Sequence, residues 1–310
     1  MELSEIFYWL LSMSITAIIC TVPVLITRCI SKIPKNIIRH LWIISFIRLV
    51  FPFGLPSEYG LMELTAKLTR TVAVPVNAGD DAIYLTYNHI ALAQKYVPFT
   101  WKTDMIRRVF DVASVIWVII AAVIFFLFAF TYIKTFILHR NDEKSRGNIR
   151  YSNAASSPFL LGIIRPRIIL PYNLKGKDNR LVILHEQSHI YALDNLSRLL
   201  AIFVCIIHWF NPLVWIFLRL YLCDIECACD ERVIKNNTDK QKKEYALMLV
   251  EAGKTHSATF SGFISSGLAK RINVILSYKK LSFAALVFVI CLFAAIGYIL
   301  LSNGEVSGIQ

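Results

Sequence analysis

Leu199-Leu200-Ala201-Ile202-Phe203-Val204-Cys205-Ile206-Ile207-His208-Trp209-Phe210-Asn211-Pro212-Leu213-Val214-Trp215-Ile216-Phe217-Leu218-Arg219-Leu220-Tyr221-Leu222 is the stretch on which the fold turns. Its length and apolarity suit a single membrane span. Asn211-Pro212 at its middle argues against one, because proline breaks a helix and restricts the residue before it. Two helices of roughly 15–18 Å each then replace the span, and the chain enters and returns on one side. His208 and Arg219 inside the run, with Trp209 and Trp215, fit a hairpin at the membrane interface better than a crossing. Such a hairpin is tolerated near lipid where protein covers the freed backbone groups.

The flanks give this choice its consequence. Upstream stands Leu184-His185-Glu186-Gln187-Ser188-His189-Ile190. On a helix, His185 and His189 share a face and both imidazoles reach one metal ion, while Glu186 lies about 100° further round, within reach of a water beside it. This is the zinc-peptidase spacing, with Glu186 as general base for attack on a peptide carbonyl. Its alternative is a surface helix that happens to carry two histidines. Downstream comes Asp224-Ile225-Glu226-Cys227-Ala228-Cys229-Asp230-Glu231. A two-histidine zinc site needs a third protein ligand. Glu226 is the best-placed carboxylate, with Asp224 or Asp230 as substitutes. Had residues 199–222 crossed the bilayer, Glu226 would lie about 30 Å from His189. The hairpin lets them share an ion.

Other residues take supporting roles. Asp230 is expected either to accept from the N–H of a ligand histidine or to be an exposed carboxylate. Asp194 is either such a partner or a structural charge near the helix end. Tyr191, Arg198 and Tyr221 are candidate oxyanion donors. His208 is expected to stabilise the hairpin. Cys223, Cys227 and Cys229 are candidate soft metal ligands, but they lack the paired spacing of a zinc knuckle and read more readily as small buried residues.

The 310 residues are 56% hydrophobic and carry a net charge of +12. With a mean hydropathy of +0.56 the chain is too apolar for a soluble globular protein. Its cations cluster in short groups beside apolar runs, which fits membrane topology and not a nucleic-acid face. Four spans are expected, at 6–28, 41–55, 110–137 and 281–301. Arg28, Lys32, Lys35 and Arg39 mark the cytoplasmic side of the first, and Lys134 to Arg150 that of the third. Lys279 and Lys280 mark that of the last. Both ends of the chain are then outside. No cleavable leader is expected, since Glu2 and Glu5 precede the first run and no small-residue site follows it. The seven cysteines suggest no disulfide framework.

Three regions follow: 1–137, three transmembrane helices with an extracellular loop at 56–109; 138–280, a cytoplasmic peptidase domain; and 281–310, a fourth transmembrane helix with a short external tail. Residues 159–170 set two β-branched runs about Arg165-Pro166, a hairpin pattern that either packs or offers an edge to a substrate strand. The fold class is a mainly α polytopic membrane protein with a membrane-abutting zinc-peptidase domain containing a small β-hairpin.

Taken together, these pieces resemble the BlaR/MecR family of integral-membrane zinc metallopeptidases, antirepressor transducers of the β-lactam response. The matching residues are Ser157-Pro158-Phe159 with Gly162, Pro166 to Pro171, His185-Glu186-x-x-His189 with Asp194, Trp209 to Trp215, and Glu226-x-Ala228-Cys229-Asp230-Glu231. The resemblance implies a gluzincin-like site with His185, His189 and Glu226 on zinc and Glu186 as base. It also implies a cytoplasmic protein substrate, a DNA-binding repressor or the chain itself. Receptors of this family carry a penicillin-binding sensor domain after the last span, and this chain is expected to lack it. Ser277-Tyr278-Lys279-Lys280 matches S-x-x-K by chance, without a K-T-G partner. A homodimer or a separate sensor protein is a candidate partner beside the lipid bilayer. The competing reading is a non-proteolytic membrane sensor or scaffold whose zinc is structural. A transporter subunit is disfavoured, because charges do not face one another across several spans.

Overall fold

The structure, a computed structural model, describes residues 2–30, 33–51, 55–56, 104–254, 261–278 and 283–303. Most of the expected external loop, Lys279-Lys280 and the tail beyond Asn303 lie outside the described residues. Nine helices are found among them: α1 (Leu3–Cys29), α2 (Lys35–Val50), α3 (Asp104–Leu138), α4 (Arg180–Tyr191), α5 (Asp194–Ile207), α6 (Pro212–Ile234), α7 (Asp239–Lys254), α8 (Ser261–Ser277) and α9 (Phe283–Leu301).

Two of these, over Leu3–Cys29 and Arg108–Leu138, are long and apolar enough to cross a bilayer, or three helical units if α4 and α5, bent by 59° at their junction, count as one span. α2 has 16 residues and reaches only about 24 Å, short of the roughly 30 Å hydrocarbon core. α3 leaves Phe126 and Phe130 exposed, as a lipid-facing helix does.

Leu193, between α4 and α5, takes a left-handed φ of 54°. That conformation costs a residue with a Cβ about 1–2 kcal/mol. It turns the chain so that Asp194 comes back onto His189. α5 ends at Ile207, and Pro212 opens α6 at a position where its missing N–H breaks no helical bond. Asn211 caps α6, its side-chain oxygen accepting from the Leu213 N–H at 2.9 Å. Its amide donates to Ser14 Oγ of α1 at 2.6 Å.

A small sheet follows α3. Apart from it, β1 (Leu55–Pro56) pairs parallel with Ser302–Asn303. The strands of the sheet are β2 (Glu143–Lys144), β3 (Ile149–Ser152), β4 (Phe159–Leu161) and β5 (Arg167–Pro171), ordered β2-β3-β5-β4. β4 and β5 form an antiparallel hairpin, Phe159 opposite Ile169 and Leu161 opposite Arg167. β3 pairs parallel with β5, Ile149 opposite Ile168, a partner the hairpin pattern does not announce. Gly162 permits the turn: its φ is +102°, and a Cβ there would stand 3.0 Å from the Arg165 carbonyl oxygen.

Two hydrophobic cores meet along α6. Val214, Phe217, Tyr221 and Ile225 pack with Trp42, Leu49 and Cys205 in the first. Cys229, Val233 and Ile234 pack with Tyr245, Leu249 and Ile275 in the second. Glu226 sits where α6 passes from one to the other. Just before it, buried Asp224 accepts from Arg28 Nε at 2.5 Å, Trp42 Nε1 at 2.9 Å and Lys270 Nζ at 2.8 Å. This fixes α6 against α1, α2 and α8.

Candidate metal centre

α4 places His185 and His189 one turn apart, both buried, with their Nε2 atoms 3.2 Å from each other. Glu226 comes to the same point from α6: one carboxylate oxygen lies 3.6 Å from His185 Nε2 and the other 3.6 Å from His189 Nε2. Zinc held at 2.0–2.1 Å by four tetrahedral ligands separates them by about 3.3 Å. The spacing of these donors fits such an ion.

The outer nitrogens decide which atoms point inward. His189 Nδ1 donates to Asp194 Oδ2 at 2.8 Å. Asp194 is fully buried, accepts from Arg232 Nη2 at 2.7 Å, and is ion-paired with Arg39 of α2. Tyr245 donates its hydroxyl proton to Asp230 Oδ1 at 2.8 Å, so at 2.8 Å from His185 Nδ1 the same oxygen accepts from that ring. Asp230 therefore reaches His185 through Tyr245, its own oxygen lying 3.5 Å from the ring nitrogen. Arg271 of α8 donates to both Asp230 oxygens at 2.7 and 2.8 Å, and its Nη1 stands 3.2 Å from Glu226. With each Nδ1–H committed outward, the two Nε2 lone pairs and a carboxylate converge, a donor set suited to a divalent cation.

The electrostatics agree. Burial lowers the His185 pKa, but the Cys229 sulfur and the Glu226 carboxylate beside it outweigh burial and hold it well above the ordinary value. Burial likewise opposes a rise at His189, yet its bonds to Asp194 and Cys229 and the nearby Glu226 charge lift it to about 9. Burial would raise Glu226, but His185, Arg271, His189 and Arg198 hold it well below the usual carboxylate range. The pocket thus favours concentrated positive charge. Glu186 is buried beside it, and burial raises its pKa against the pull of the histidines.

Asp224, a substitute ligand by sequence, is committed to Arg28, Trp42 and Lys270. Among the three oxyanion candidates, Tyr191 is 86% exposed and Tyr221 packs its ring on Trp42 and Phe46. Arg198 reaches the site, its Nη2 lying 2.5 Å from Glu226 and 3.4 Å from His189 Nε2. His208 is buried at the hairpin turn with Nδ1 3.0 Å from the Val204 carbonyl.

Two participants escape sequence reasoning: Tyr245 and Arg271 lie on helices remote in the chain. Cys229, which the sequence offers as a soft metal ligand or a small buried residue, joins them: its sulfur and the two histidines lie within 4.8 Å of one another. Its sulfur stands 3.3 Å from His185 Nδ1, and its thiol donates to the His185 carbonyl at 3.4 Å. Burial raises the thiol, but His185 and His189 outweigh it and bring the pKa to about 7.

The family model described as BlaR1 peptidase M56 matches residues 8–275. The chain belongs to the BlaR1 peptidase M56 family. Among curated relatives, "Regulatory protein BlaR1" of Bacillus licheniformis is 33% identical over 98 residues, 31% of this chain and 16% of the relative. "Methicillin resistance mecR1 protein" of Staphylococcus aureus (strain Mu50 / ATCC 700699) is 31% identical over 96 residues, 30% of this chain and 16% of the relative. "Regulatory protein BlaR1" of Staphylococcus aureus is 24% identical over 236 residues, 68% of this chain and 39% of the relative. The chain thus matches well under half the length of these relatives. M56 membership makes a metallopeptidase the family setting in which His185 and His189 stand.

Proposed function

We propose that this chain is a membrane-embedded zinc endopeptidase that passes an external signal inward by cleaving a cytoplasmic regulatory protein, repressor-like, or itself. The observation that carries the reading is the convergence of His185 Nε2, His189 Nε2 and the Glu226 carboxylate beside a buried Glu186. His185, His189 and Glu226 are the assigned ligands. Zinc bound there supplies Lewis-acid polarisation of a scissile carbonyl and acidifies water.

The chain's own residues do the rest. Glu186 accepts the proton of the attacking water and returns it to the departing amide nitrogen. Its burial-raised pKa suits a group that must both take and give. Asp194 and Tyr245 orient the two imidazoles, and Arg271 steadies Asp230 and Glu226 together. Arg198 is the donor assigned to the developing oxyanion. β4, an edge strand of the sheet, offers unpaired backbone groups to an extended substrate.

The membrane reading has α1, α3 and α9 as spans, with α2, about 24 Å long, as a fourth that a locally thinned bilayer accommodates, both chain ends outside, and α5–α6 as a hairpin entering from the cytoplasm. Asn211 meets Ser14 and Asp224 meets Arg28. The hairpin therefore runs beside α1 for about 20 Å by helix rise and returns with Glu226 at the inner side. Names given to the relatives, "regulatory protein" and "methicillin resistance", support a signalling role. A repressor-like substrate, and a homodimer or separate sensor as partner, belong to the same proposal.

Proteomic comparison of cells carrying the wild-type chain and Glu186→Gln tests the reading. A regulatory protein cut only by the wild type is expected, with zinc retained in both. Equal cleavage by the variant overturns it. A second reading, structural zinc in a non-proteolytic sensor, draws on Cys229 as an additional protein ligand. A thiolate-to-metal charge-transfer band in the cobalt-substituted protein supports that reading; its absence supports the peptidase.

A further inference from the structure

The β4–β5 hairpin ends in Gly162-Ile163-Ile164-Arg165-Pro166, and its apolar tip faces outward: Ile163 is 47% and Ile164 93% exposed. The tip is not a loose end. The Asn195 side chain donates to the Gly162 carbonyl, and Asn148 Nδ2 donates to the Pro166 carbonyl at 3.1 Å. Gly162 in its positive-φ conformation keeps the turn tight.

The surroundings say what covers this tip. Asn195 stands in the first turn of α5, and the exposed side of α5 continues as Leu196, Leu200 and Phe203, spaced to share one helix face. The opposite face, with Ala201, Val204 and Cys205, is buried. An apolar stripe left exposed on a helix whose other face is already packed marks a contact surface. Phe203 meets Phe125 of α3 edge-on at 6.3 Å, and the Ile207 carbonyl accepts from Trp117 Nε1 at 2.7 Å. The α5 stripe is thus continuous with the lipid-facing surface of α3. At the other end of α3, the Arg167 guanidinium lies over the Phe136 ring at 5.7 Å. Phe136 lies two residues before Leu138, where the helix long and apolar enough to cross a bilayer ends. The hairpin therefore stands level with the inner end of the span. Isoleucines followed directly by arginine at that depth match an apolar interior beneath an anionic headgroup layer.

We propose that the hairpin tip is an interfacial anchor: Ile163 and Ile164 insert into the inner leaflet, and Arg165 meets anionic lipid headgroups. The anchor holds the β4 edge against the membrane beside the metal centre. It rests on the membrane placement of the chain and not on the zinc chemistry, so either can fail without the other.

The test uses the full chain in nanodiscs of phosphatidylcholine, with and without phosphatidylglycerol. The photocrosslinker benzoylphenylalanine is placed singly at positions 164, 126 and 172. Position 126 is exposed on α3, and 172 is exposed just past the end of β5 away from the hairpin tip. Phospholipid adducts are expected at 126 and 164 and not at 172. Phosphatidylglycerol should be enriched in the adducts at 164, and Arg165→Gln should abolish that enrichment without removing the adducts. Lipid at 126 but none at 164 overturns the anchor, as does capture of a polypeptide at 164, which makes the tip a protein-docking surface. No lipid at either position overturns the membrane placement and the anchor with it.

Discussion

Tyr245→Phe deletes one oxygen from the wall of the site. That oxygen accepts from His185 Nδ1 and donates to Asp230, both at 2.8 Å. Without it the buried His185 N–H keeps only the weak Cys229 sulfur acceptor at 3.3 Å, a loss of about 1–3 kcal/mol. At 1.4 kcal/mol per decade this corresponds to roughly tenfold to a hundredfold, the range typical for removing the outer partner of a metal-binding histidine. Relief is available from Asp230, whose oxygen stands 3.5 Å from Nδ1. Two bonds from Arg271, at 2.7 and 2.8 Å, resist that shift. The expected loss of zinc affinity is therefore about tenfold for Tyr245→Phe. Adding Asp230→Asn should deepen it by more than Asp230→Asn does alone. Competition with a chromophoric zinc chelator reads the affinity, and a thermal melt in the same detergent checks the fold. An affinity within about threefold of wild type, with the melt unchanged, refutes an orienting role for Tyr245.

Further outcomes follow from the same geometry. Glu186→Gln should keep zinc and lose cleavage by about a hundredfold or more; single-turnover cleavage measures it. Arg39→Gln removes one of two cations on buried Asp194 and leaves Arg232; a destabilisation of about 1–3 kcal/mol is expected in denaturant melts. His189 in the zinc-stripped protein titrates near 9, above the ordinary 6.5. Its stabilising charge is complete below about pH 6.5 and lost as pH rises through about 9. The stripped protein should weaken across that window while zinc affinity, which needs neutral imidazole, rises. Melts and chelator titrations at stepped pH check both signs.

The sequence carries some of this and not the rest, for physical reasons. Two histidines one helical turn apart announce a shared face because helix geometry fixes it locally. Asn211-Pro212 announces the break between α5 and α6 because proline forbids a continuous helix there. The β4–β5 hairpin is legible from its β-branched runs, whereas the parallel strand β3 is not, since long crossovers leave no local pattern. Tyr245 and Arg271 are ordinary residues on α7 and α8, and only tertiary packing brings them to His185 and Glu226. Cys229 follows no metal-binding spacing and becomes a neighbour of His185 through the packing of α6 on α4. Arg28 and Arg39 read as marks of the cytoplasmic side, and in the fold they also hold Asp224 and Asp194.

X-ray absorption at the zinc edge of the purified full chain tests the ligand assignment most directly. His185, His189 and Glu226 predict only nitrogen and oxygen neighbours at about 2.0–2.2 Å, with the multiple-scattering pattern of two imidazoles. A sulfur neighbour at about 2.3 Å would contradict this by putting Cys229 on the metal.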